Sequence, residues 1–150
     1  MILDSLQVQV TSGLIAASRQ WRRLCHLTLF EFGVSEACAG PLLTIARFGD
    51  GVRQVDVAQR CGLESSSIVR LIDQLCDANL VSRDRDPGDR RASSLRLTAR
   101  GRSVADLIEA ELLRLRRTTF RHIELSDLKA TMRVLDAIGQ MNPECQVPNG

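Results

Sequence analysis

Arginine supplies the reactive chemistry of this 150-residue chain. Seven arginines (Arg83, Arg85, Arg90, Arg91, Arg96, Arg100 and Arg102) fall between residues 83 and 102, against three aspartates (Asp84, Asp86 and Asp89), a local balance of +4. The whole chain carries only +2, so everything outside that stretch sums to −2. A guanidinium is a planar, permanently charged fork that matches phosphate oxygens two at a time. Positive charge concentrated in one stretch of a nearly neutral chain predicts one anion-facing surface. Immediately upstream stand Ser65, Ser66, Ser67, Arg70 and Gln74, mostly short and polar, which would let a partner approach closely.

Two elements must position these groups. Ile68, Leu71, Ile72 and Leu75 recur at i, i+3, i+4 and i+7, so residues 64–79 form a one-sided helix. At about 100° per residue, Ser66, Arg70, Asp73 and Asp77 fall on its opposite side, flanked by Ser67 and Gln74. Leu80-Val81 then leads into a hairpin. Asp86-Pro87-Gly88-Asp89 turns it, and Ser94-Leu95-Arg96-Leu97 returns by alternation. A helix with a small polar face followed by an arginine-tipped β-ribbon, with residues 84–93 as the ribbon, is the layout of a winged helix-turn-helix.

The preceding segment agrees. A short helix from about Arg53 to Arg60 ends at Gly62, which has no Cβ and can take the left-handed conformation that closes a helix. Before it, a long first helix ends near Gly33. A second helix, capped by Ser35, contains Pro41, which should kink it or delay its start. After the hairpin, Thr98 can cap a long fifth helix through Leu112 and Leu115, and a sixth follows from about Ser126. Asn142-Pro143 onward reads as a frayed tail. The fold class is therefore mainly α with a small β-hairpin wing (α+β): six helices in one domain of residues 1–150. Residues 35–97 form the winged helix-turn-helix lobe, and residues 4–33 and 98–141 form helices outside it. The outer helices carry more apolar surface than the lobe can cover. A second subunit in a two-fold homodimer would cover it, and would place two reading helices about one DNA turn, roughly 34 Å, apart.

Several classes are disfavoured. The five cysteines are odd in number and form no CxxC pair, against both a disulfide framework and a zinc cluster. No leader-like segment or apolar run of membrane-spanning length is present, so the cytoplasm is the expected compartment. There is no nucleophile elbow, glycine-rich phosphate loop or triad, so neither an enzyme nor a bound cofactor is expected. His26 and His122 lack ligand spacing, so no metal is expected either.

The sequence DPGDRRASSLRLTARG resembles the wing and the LT..G helix start of the MarR family of bacterial transcriptional regulators. QVDVAQRCGLESSSIVRLIDQLCDANLVSR resembles that family's helix-turn-helix. The likeness extends over nearly the whole chain, with Gly40-Pro41 a departure. It implies a homodimer that binds a pseudo-palindromic operator in double-stranded DNA, usually as a repressor, and releases it when a small molecule binds. It assigns Ser65, Ser66, Ser67 and Arg70 to the major-groove helix, and Arg90 and Arg91 to a wing tip that reaches the minor groove. Asp89 corresponds to the acidic residue that holds a wing arginine. Gln74 and Arg85 complete the expected DNA-facing set. Trp21, Arg22, Cys25 and His26 correspond to positions that border an effector pocket in this family. An arginine beside an aromatic ring suits an anionic aromatic ligand.

Two alternatives stay open. Cys25 could sense oxidants, although it is in phase with the apolar stripe and buried thiols are usually inert. A winged helix can also dock a protein instead of DNA, which would require an apolar outward face on helix 64–79.

Overall fold

Apolar residues spaced for one face of each short helix and of the sheet converge on one core. Leu42, Ile45, Val57, Ile68, Ile72, Leu75, Leu95 and Ile108 are all fully buried. The structure, a computed structural model, describes residues 1–85, 88–89 and 93–141. Its elements are α1 (Ile2–Phe30), α2 (Glu36–Phe48), β1 (Val52–Arg53), α3 (Gln54–Cys61), α4 (Ser65–Asp77), β2 (Val81–Arg85), β3 (Ser93–Leu97), α5 (Ala99–Thr119) and α6 (Leu125–Gly139). The expected tail from Asn142 lies outside the described residues.

The six helices and the wing strands agree with the sequence reading. Ser35 caps α2, its Oγ accepting from the Cys38 amide at 3.2 Å. Gly62 closes α3 with φ +64°, and the Leu63 amide bonds back to the Ala58 carbonyl at 2.9 Å. Pro41 lies within a continuous α2 and is buried, so the helix neither starts after it nor stops there. A strand not anticipated is β1. It makes the hairpin a three-stranded antiparallel sheet of order β1-β3-β2, with Val52 opposite Leu95 and Val81 opposite Leu97. Two residues are too few to show a period of two. As the central strand, β3 also buries Ser94, against the simple alternation expected of it.

The close of α4, the start of β2 and the start of α5 meet at one peptide group. Asn79 takes φ +56°, which ends α4 and brings the Leu80 amide to the Leu75 carbonyl at 2.9 Å. The Leu80 carbonyl then accepts from the Thr98 amide at 3.1 Å. The Thr98 hydroxyl donates to the Asn79 carbonyl at 2.8 Å and accepts from the Gly101 amide at 2.8 Å, capping α5. Gly101 is buried, and a Cβ there would sit 1.8 Å from the Leu80 carbonyl oxygen. Only glycine lets the first turn of α5 lie against that carbonyl.

The described chain divides into two compact units, Met1–Arg114 and Leu115–Gly150. In the first, α1 buries only Leu29, while Ile2, Leu3, Leu6 and Val10 are exposed. In the second, α6 buries no residue, and Met132, Leu135 and Ile138 lie open.

Gly101→Ala should therefore lower stability by about 3 kcal/mol, because backbone must move to admit the methyl group. Thermal unfolding should show a midpoint lowered by roughly 6–12 °C. Gly40→Ala, on an exposed helical position with nothing within 4 Å of the new Cβ, should match or exceed the wild-type midpoint. Equal midpoints for the two variants would contradict the close approach.

Candidate nucleic-acid interface

Burial of Ile68, Leu71, Ile72 and Leu75 turns the other side of α4 outward. Ser65, Ser66, Arg70, Asp73, Gln74 and Asp77 are exposed and Ser67 is half-buried. The N-cap residue of α4 is Glu64, whose side chain makes no capping bond. Nor do the three serine hydroxyls make a hydrogen bond among the described residues. The first amides of α4 thus have no side-chain partner among the described residues, which leaves the positive end of the helix dipole open to an anion.

The arginines divide into paired and unpaired sets. Arg83 Nη2 meets Asp73 Oδ1 at 2.8 Å, joining β2 to α4. Arg96 Nε meets Asp84 Oδ2 at 2.9 Å across the hairpin. Arg102 lies 3.7 Å from Asp50. Arg70 and Arg85 make no hydrogen bond or ion pair among the described residues, and both are exposed. Asp73, one turn on from Arg70 along the same helix, pairs with the strand instead. Asp89 is exposed. Arg90 and Arg91, the expected wing tip, lie outside the described residues, as do Asp86 and Pro87 of the turn.

Gln74 has a divided role. The residue is exposed, yet its Oε1 accepts from the Cys38 thiol at 3.2 Å, a bond between α4 and α2. Beside them is a recess of about 150 Å³ lined by Ser35, Cys38, Gln74, Leu75 and Leu80, among others. None of the four expected effector residues lines it. Those four are strung along α1. Trp21 and Cys25 are half-buried, with Cys25 packed against the core, while Arg22 and His26 are exposed. Arg22 Nε lies 4.0 Å from Glu36 Oε1. The structure thus places Trp21, Arg22, Cys25 and His26 within two turns of one helix.

Sequence reasoning missed the Arg83–Asp73 bridge and the Cys38–Gln74 bond. Their partners are 10 and 36 residues apart, on different elements, and no local spacing signals either. Burial pushes the Cys76 thiol above its ordinary pKa, with Asp73 and Asp77 adding to the rise and Arg83 opposing it. A thiol so raised is mostly protonated at neutral pH and a weak nucleophile. Among the described residues, no helix is long and apolar enough to cross a membrane.

The geometry agrees with known proteins. The model of the MarR family matches residues 32–92, from just after α1 to the residue before β3. A MarR family transcriptional regulator from Rhodococcus sp. RHA1 is 26% identical over 90% of this chain and 95% of its own, with a TM-score of 0.75. Another MarR family transcription regulator, 18% identical, covers 93% of each chain with a TM-score of 0.82. Wild-type MarR from E. coli, in its apo form, is 18% identical over 85% of this chain and 94% of its own, with a TM-score of 0.68. Over residues 32–92 the chain is thus similar to MarR family regulators, and it shares the winged-helix fold of these solved structures.

Proposed function

We propose that this protein is a sequence-specific DNA-binding transcriptional regulator. It acts in the cytoplasm as a homodimeric, non-enzymatic repressor on a pseudo-palindromic operator. The observation that carries this reading is the outward side of α4. It presents an uncapped, serine-lined helix start and an unpaired Arg70, and it is continuous with a hairpin whose Arg85 is also unpaired among the described residues. Phosphate oxygens suit the open amides and serine hydroxyls, and Arg70 can reach a base edge or phosphate. Arg90 and Arg91 follow in sequence at the hairpin tip, where arginine gains from the enhanced negative potential of a narrow minor groove. A protein-docking winged helix would need an apolar outward face, and α4 offers only Val69 there.

The exposed apolar residues of α1 and α6 support the dimer, because a monomer would leave both helices largely wetted. A small effector would act on spacing. Affinity depends on both half-sites being in register, so a ligand that prefers one separation of the reading heads shifts binding without touching DNA. Trp21, Arg22, Cys25 and His26 are the residues proposed to meet it, and an aromatic carboxylate fits a ring beside a cation.

Three outcomes test this reading. Wild-type protein should select a two-fold symmetric duplex from a random-sequence library. Arg90→Ala and Arg91→Ala should each weaken binding to it and lower the salt slope by roughly one. Unaltered affinity and slope would remove those residues from the interface. Sedimentation equilibrium should give twice the 16.6 kDa chain mass, and Leu135→Glu should shift the population toward single chains. A monomeric wild type would contradict the assembly. Calorimetry with a panel of aromatic carboxylates should find at least one that binds and that Arg22→Ala weakens. Binding by none would discard the effector class.

A further inference from the structure

The outward side of α4 is not uniformly attractive to a polyanion. Arg70 stands there with two exposed carboxylates, Asp73 and Asp77, so the side chains of that side sum to −1. A bare carboxylate held against a duplex is repelled by phosphate, and like-charge juxtaposition is a strong penalty at an interface. Compensation comes from a different element. Arg83 of β2 donates from Nη2 to Asp73 Oδ1 at 2.8 Å. Its side chain is 34% exposed against 53% for Asp73, so the cation is the more covered partner. Its strand position is fixed by the sheet, where it lies opposite the fully buried Leu95. The other hairpin pair, Arg96 with Asp84, joins β3 to β2 and does not reach α4.

We propose that Arg83 is a positioning residue for DNA recognition that acts through Asp73. It cancels one of the two carboxylates on the outward side of α4 and ties the first wing strand to that helix, and it does not itself contact phosphate. This inference rests on the reading that α4 faces DNA. It separates the arginines of the hairpin by role. Arg85 and the tip residues are left to meet the duplex, while Arg83 is spent within the protein.

The test is a double-mutant cycle on the full-length protein, using the duplex selected by wild type and fluorescence anisotropy as the readout. Arg83→Ala leaves Asp73 unmasked and should weaken binding about tenfold or more. Asp73→Asn in that background should recover most of the loss, whereas Asp73→Asn alone should change affinity less than about threefold. The coupling should shrink as salt rises from roughly 50 to 200 mM, because it is electrostatic. Thermal midpoints of the four proteins should agree within about 3 °C, since an exposed pair contributes little to folding. If Asp73→Asn changes affinity by the same factor in both backgrounds, Arg83 acts independently of Asp73 and the assignment is wrong. If Arg83→Ala leaves affinity unchanged, or if the coupling appears in the midpoints and not in binding, it is likewise wrong. Failure of wild type to select any duplex is a different result, which removes the DNA reading and this inference with it.

Discussion

The carbonyl of Leu80 is the point on which the geometry of the reading surface depends. Helix α4 ends three residues before it and strand β2 begins immediately after it. The amide of Thr98 binds it from the far end of the hairpin, and Gly101 brings the first turn of α5 against it. Four element ends are thereby held within a few bonds of one another. A hydrogen bond in this setting adds only about 1 kcal/mol. Its larger effect is geometric, because the hairpin cannot swing relative to α4 without breaking the Thr98 bonds. A wing attached through a free linker would lose orientational entropy on docking to a duplex, and a wing held at its base has already lost it.

Charge is arranged on that frame with similar economy. The local excess of +4 between Arg83 and Arg102 is not all presented outward. Arg96 is paired within the sheet, Arg102 lies beside Asp50, and Arg83 faces Asp73. The outward charge among the described residues of α4 and the hairpin falls to Arg70 and Arg85, with Arg90 and Arg91 adjoining in sequence. Counting arginines alone would therefore overstate the number of phosphate contacts open to the proposed interface. Pairing also limits nonspecific affinity, which grows with each free cation near the backbone of DNA.

Much of this was legible in the residues. Periodicity gave α4 and its polar side, because a buried helix face repeats every three to four residues. Ser35 and Gly62 marked helix ends, since capping and left-handed closure depend on residue type within a few positions. What escaped was non-local or too short. Strand β1 is two residues long and exists only because β3 is there to pair with it. The Arg83–Asp73 bridge and the Cys38–Gln74 bond need the folded chain to bring their partners together. Gly101 could be matched to a motif, yet the carbonyl that excludes a side chain there belongs to Leu80, on another element. Trp21, Arg22, Cys25 and His26 were assigned to an effector pocket by family resemblance alone, and Arg22 and His26 lie exposed on α1.

Under the proposed function, two copies of α4 and its attached wing read a duplex together. Hydroxyl-radical footprinting of the wild-type protein on its selected duplex examines that most directly. The account predicts protections related by a two-fold axis, with half-site centres about 10–10.5 base pairs apart or a multiple of that, and with flanking minor-groove protection where the wings lie. A single unsymmetrical patch, or protection spread evenly along the duplex, would contradict it.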